Sequence, residues 1–159
     1  MHMSTRGLIE IIRAQYRLEW DGIHGFRHWS RVRENGRRLA ETTGADVEII
    51  DLFALLHDSK RANDDRDDGH VARAADFARS ICGSAFRLEL AALEILVEAC
   101  RNHENGLTHD DPTIATCWDA DRLDLWRVGT MPDPSRLCTE AARDPAVIQW
   151  ACRRAEEDR

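Results

Sequence analysis

Apolar residues return every three to four positions along this chain, the period of an α-helix that buries one face. Leu8, Ile11, Ile12 and Tyr16 mark the inner face of a first helix over roughly residues 5–20, which "DGIHG" interrupts. A second helix, roughly 26–43, turns Val32 and Leu39 inward and stops near Gly44. Asp46 is placed to cap a third over roughly 47–59. The acidic stretch "KRANDDRDDG" reads as a loop. A fourth helix follows at roughly 70–82 and ends at Gly83; Ser84 is placed to cap a fifth, roughly 85–103. "ENGLTHDD" is a second polar loop, and Pro112 suits the first turn of a sixth helix. "GTMPDPS" breaks the chain again before Asp144-Pro145 opens a last helix with Val147, Ile148 and Ala151 inside. No run alternates as a strand would, and no Asn-Gly turn joins two such runs. The expected fold is all-α, about six to seven helices in one compact domain over residues 1–159, without repeats or a linker.

Against that pattern the polar exceptions stand out. His28 shares a helical face with Val32 and Leu39. His57 lies with Ile50, Phe53 and Ala54, and Asp58 follows it at the end of the run "LFALLHD". His70 lies with Ala74, Phe77 and Ile81; His103 lies with Leu96, Ala99 and Cys100. Asp121 lies with Ile114, Cys117, Trp118, Leu125 and Val128. Five helices thus each turn a metal-competent side chain toward the core, with Asp58 as a sixth. A single core histidine is more often a hydrogen-bonded packing residue, and an unpaired buried carboxylate costs several kcal/mol. Convergence on a divalent cation satisfies all six together. Mixed nitrogen and oxygen donors suit Mn, Fe, Co, Ni, Zn or Mg without choosing among them. His24, His109 and the terminal His2 sit in polar surroundings and are expected at the surface or behind the donors, with His24 near the mouth of any pocket.

Composition narrows the partners. The net charge of −7 over 159 residues argues against non-specific nucleic-acid binding. The five cysteines are odd in number and form no C-x-x-C pair, so neither a disulfide framework nor a zinc knuckle fits. A reducing cytoplasm is the expected setting. No signal-peptide pattern opens the chain, and no apolar run reaches the roughly 20 residues of a membrane span.

"HWSRV" at 28–32, "HD" at 57–58 and "DADRLD" at 119–124, in that order, resemble the HD superfamily of metal-dependent phosphohydrolases. The resemblance spans roughly 20–130, leaving about 135–157 as a C-terminal helical extension. It implies an all-α bundle holding one or two divalent metal ions, with His28, His57, Asp58 and Asp121 as ligands. His70 and His103 fall where members with two metals carry extra histidines. Where cyclic-di-GMP phosphodiesterases of the superfamily carry His-His and then G-Y-P, this chain has Asn102-His103 and no G-Y-P. The implied substrate is a small phosphate ester or anhydride, often a nucleotide, attacked by metal-activated water. Asp58 is the implied bridge between two metals, and Lys60 and Arg61 are placed to clamp phosphate. Their alternative is an ordinary solvated helix end. Arg27, Arg31 and Arg122 flank the signature residues without a ranked role. Periodicity also separates the aspartates: Asp121 is central to the inner face, Asp124 at its edge, and Asp119 turned away to cap, pair with an arginine or meet solvent. Two other functions fit the same donors: a di-iron HD-type oxygenase, and a non-catalytic metal- or nucleotide-binding module.

Overall fold

The computed structural model describes residues 4–159, so His2 of the opening "MHM" lies outside the described residues. Eight helices follow one another: α1 (Thr5–Gln15), α2 (Phe26–Thr43), α3 (Val47–Leu56), α4 (His70–Ile81), α5 (Leu90–Asn102), α6 (Pro112–Arg122), α7 (Glu140–Arg143) and α8 (Pro145–Glu157). Short 3₁₀ turns occupy Leu125–Val128 and Pro134–Arg136. Among the described residues the only β pairing is an isolated bridge between Cys82 and Phe86. The all-α expectation holds.

Helix starts follow capping chemistry. The Asp46 carboxylate accepts the Glu48 and Ile49 amides, Asp111 accepts those of Thr113 and Ile114 ahead of Pro112, and Asp144 accepts that of Ala146 ahead of Pro145. Each fills amides that have no intrahelical partner. Gly44 ends α2 with φ at 74°, the left-handed conformation that glycine adopts without penalty.

Gly36 sets the depth of the bundle. A Cβ there would stand 2.5 Å from Ile50 Cγ2 and 3.5 Å from the Ala120 Cβ, so its hydrogen lets α2 close onto α3 and α6 together. That approach brings His28, two turns earlier on α2, against the ends of α3 and α6. Behind it Ile49, Ile50, Phe53, Ala54, Leu56, Leu96 and Ala99 are almost wholly buried, and each large side chain contributes about 1.5–3 kcal/mol. A second apolar cluster joins Leu39 and Leu123 to Leu137, Ala142, Val147, Ile148 and Ala151, so the C-terminal helices cover the outer side of α2 and α6.

Three boundaries differ from the periodicity. α1 stops at Gln15 because Tyr16 turns extended and enters an aromatic cluster, edge-on to Trp20 and to Trp29 at 5.8 and 5.2 Å. α5 begins at Leu90 rather than near 85: Ala85 and Phe86 are buried as a turn, the Gly83 amide bonds the Phe86 carbonyl, and Ser84 donates to Ile81 instead of capping. α6 ends at Arg122, so Leu125 and Val128 do not continue its face; Val128 is exposed. No helix among the described residues is long and apolar enough to cross a membrane. All five cysteines are free.

Candidate metal centre

Helix ends build this site. His57 and His103 are the C-cap residues of α3 and α5, where the last carbonyls lack helical partners. The His57 Nδ1–H is directed at the Phe53 and Ala54 carbonyls, both at 3.1 Å, and the His103 Nδ1–H donates to the Cys100 carbonyl at 2.7 Å. His70 opens α4 and donates from Nδ1 to the Asp67 carbonyl at 2.6 Å. His28, on the first turn of α2, donates from Nδ1 to Asp124 Oδ2 at 2.7 Å. All four rings therefore have a committed Nδ1–H, which leaves the Nε2 lone pair as their free end.

Those free ends meet. His28 Nε2 and His57 Nε2 are 3.1 Å apart; His70 Nε2 and His103 Nε2 are 3.2 Å apart. Asp58 lies between the pairs. Its Oδ2 is 3.5 Å from both His28 and His57 Nε2, while its Oδ1 is 3.2 Å from His70 and 3.7 Å from His103. Asp121 Oδ1 joins the first pair, 3.2 Å from His28 and 3.5 Å from His57. The four histidines and Asp58 are buried, and Asp121 retains 18% of its side-chain exposure, the most open of the six. Two sets of three donors, His28–His57–Asp58 and Asp58–His70–His103, are compact enough to hold an ion each.

The donor set fits a divalent cation on its own chemistry. Imidazole lone pairs and carboxylate oxygens face one another without protons of their own, and acceptors in such contact repel. Nitrogen–metal bonds of about 2.0–2.1 Å at a right angle place two imidazole nitrogens about 3 Å apart, the separation of both pairs. Without an ion, a proton is the available substitute. Burial and the nearby Arg127 charge push the His28 imidazole down, but hydrogen bonds to Asp121, Asp124 and Asp58 outweigh them and raise its pKa to about 9. Burial would raise both carboxyls, yet the charge of His57 with hydrogen bonds to His103, His24 and His28 holds Asp58 well below the usual range, and His28 and His57 do the same for Asp121. His57 is pushed down, chiefly by burial.

A ring of supporting residues orients the donors. Asp124, buried, also receives the Arg31 guanidinium at 2.7 and 3.1 Å, and Arg31 reaches on to Asp158 on α8. Asp124 was expected only at the edge of the inner face; its role in fixing His28 is signalled by nothing beyond its position three residues after Asp121. His24 is not at an open mouth: it is buried, with Nδ1 at 3.3 Å from Asp58 Oδ2 and Nε2 at 3.2 Å from the Asp64 carbonyl, and its own carbonyl accepts Tyr16 Oη–H and Trp29 Nε1–H. His109 lies apart, half-buried, accepting the Asp111 amide and standing edge-on to Trp118.

The cationic residues after the HD pair part company. Arg61 is buried with Nε 3.4 Å from Asp58 Oδ1 and Nη1 on the Asn63 and Asp65 carbonyls at 3.3 and 3.1 Å. Lys60 does not join the donors: its ammonium lies 4.3 Å from the centre of the Phe77 ring. Arg27 is exposed near Asp21, and Arg122 holds the Gly106, Leu107 and Arg136 carbonyls. Asp119 is turned away from the donors but does not meet solvent or an arginine. It is buried and accepts the Cys138 and Thr139 amides and the Thr139 hydroxyl at 2.7–2.9 Å.

No family model matches the chain, and no curated protein matches it by sequence. Among solved structures it is similar to a predicted HD superfamily hydrolase from an uncultured Thermotogales bacterium, with 25% identity and a TM-score of 0.72 over 98% of this chain and 88% of that one. The helical architecture matches an HD-type fold, and the histidines and aspartates in the order H…HD…D are gathered inside it.

Proposed function

We propose that the protein is a metal-dependent phosphohydrolase acting on a small phosphorylated metabolite, a nucleotide among the candidates, at a centre of two divalent ions. The observation that carries this reading is the position of Asp58: its two oxygens face two different histidine pairs, so one carboxylate could serve an ion at each pair. The similarity to a predicted HD superfamily hydrolase supports the hydrolytic class.

His28, His57 and Asp121 would hold one ion, His70 and His103 the other, with Asp58 shared. A divalent cation so held lowers the pKa of bound water and draws charge from a phosphoryl oxygen. The protein's own residues supply position and exclusion. Each Nδ1–H bond fixes its ring with the lone pair inward, which raises ligand basicity and prevents rotation. Arg61 acts on Asp58 as a positioning residue, because its guanidinium is committed to that carboxylate and to two loop carbonyls. Asp121, the most exposed of the six, marks the side from which substrate enters.

The test is metal analysis of the purified protein followed by a panel of phosphorylated metabolites with Mn, Fe, Co, Ni, Zn and Mg restored in turn. Two equivalents of metal at saturation with metal-dependent phosphate release is the expected result. Oxygen uptake by the iron-loaded protein without phosphate release would transfer the site to di-iron oxidation, and tight ligand binding without turnover under every metal would make it a sensing module.

A further inference from the structure

A cavity of about 390 Å³ opens beside the segment that follows the HD pair, and none of the six donor residues lines it. Its walls carry four cationic side chains, Arg17, Lys60, Arg61 and Arg73, against one carboxylate, Asp76. On a chain of net charge −7 this is a local reversal of sign. The internal pairings leave much of that charge unspent. Asp76 faces Arg101 at 3.5 Å, while Arg73 is held by Asp67 and by the Lys60 carbonyl. Arg61 is engaged by Asp58 and by loop carbonyls. Arg17 and Lys60 pair with no carboxylate among the described residues, and Lys60 has only the face of Phe77 beneath its ammonium.

We propose that this cavity is a second anion-binding site, separate from the metal centre, that takes a small phosphate-bearing ligand. Its volume lies in the range of small-molecule sites. An excess of cations over a single engaged carboxylate selects a multiply charged anion over a monocarboxylate, because each added charge strengthens the attraction. Lys60 serves as a mobile point charge and Arg17 as a planar fork at the rim. The proposal moves the phosphate contact expected of Lys60 away from the reacting centre. The proposal does not depend on what the metal centre does.

The experiment is calorimetric titration of inorganic pyrophosphate into the full-length protein stripped with EDTA, so that no metal offers a competing site. One equivalent should bind. Arg17→Glu, at an exposed position, and Lys60→Met, which keeps the stem over Phe77, should each weaken binding by about tenfold or more. Asp121→Asn, at the other site, should leave it unchanged. Absence of binding at millimolar pyrophosphate, equal affinity in wild type and Arg17→Glu, or loss of binding in Asp121→Asn would each overturn the proposal.

Discussion

Two carboxylate sites lie two residues apart on α6, and they are built in opposite ways. Asp119 is buried among donors: two amides and a hydroxyl from Cys138 and Thr139 point at its oxygens. Burial raises its pKa and those bonds only partly offset the rise, but no further partner is required. Asp121 and Asp58 instead face chiefly acceptors, the Nε2 atoms of rings whose Nδ1 protons are committed elsewhere, with Arg61 beside Asp58 at 3.4 Å. Both arrangements satisfy the rule that buried charge needs compensation. The first obtains it from the chain and joins α6 to the segment leading into α7; the second, with Arg61 on Asp58 as its chain-borne cation, presents donors that could hold a cation from outside. Burial of an aspartate is therefore uninformative about function until the protons around it are assigned.

The sharpest break in this comparison comes at the donors. His57→Ala or Asp58→Ala should strip the cations and abolish metal-dependent turnover while leaving far-UV circular dichroism nearly unchanged; full metal occupancy in both variants would dissolve the assignment. Asp119→Asn should behave in reverse. Replacing one acceptor oxygen by an amide faces a donor with a donor, so stability in urea should fall by about 3 kcal/mol, with metal content and activity per folded molecule retained.

Asp124→Asn tests the ring of support behind the donors. It weakens the acceptor for His28 Nδ1–H and leaves Arg31 with Asp158 alone as counter-charge, so metal affinity, measured by chelator competition, should drop about 10–100-fold. An unchanged affinity would mean that His28 is oriented by packing alone. The smallest effect concerns the proton that substitutes for metal. With its folded pKa raised from 6.5 to about 9, His28 adds stability to the metal-free protein that is fully present below 6.5 and is lost as pH rises through about 9. Metal displaces that proton, so thermal melts of the loaded protein should lack this alkaline decline, and matching profiles with and without metal would count against His28 as a ligand.

Much of this was legible in the residues. Apolar spacing gave the helices, Asp46, Pro112 and Asp144 announced their starts, and His28, His57, His70, His103, Asp58 and Asp121 stood out because polar groups on apolar faces need a reason to be there. Periodicity separated Asp121 from Asp119 because a regular helix turns about 100° per residue, and α6 is regular across both. What it could not supply is everything that depends on distance between elements. That Asp119 meets the 138–139 backbone rather than solvent, that Asp124 anchors His28 from 96 residues away, and that Arg61 reaches Asp58 while Lys60 lies over Phe77 are outcomes of packing. Helical propensity and amphipathic period are local properties, written in a few neighbouring residues. Which lone pair faces which is decided only when Gly36 lets three helices close and their ends are brought to one point.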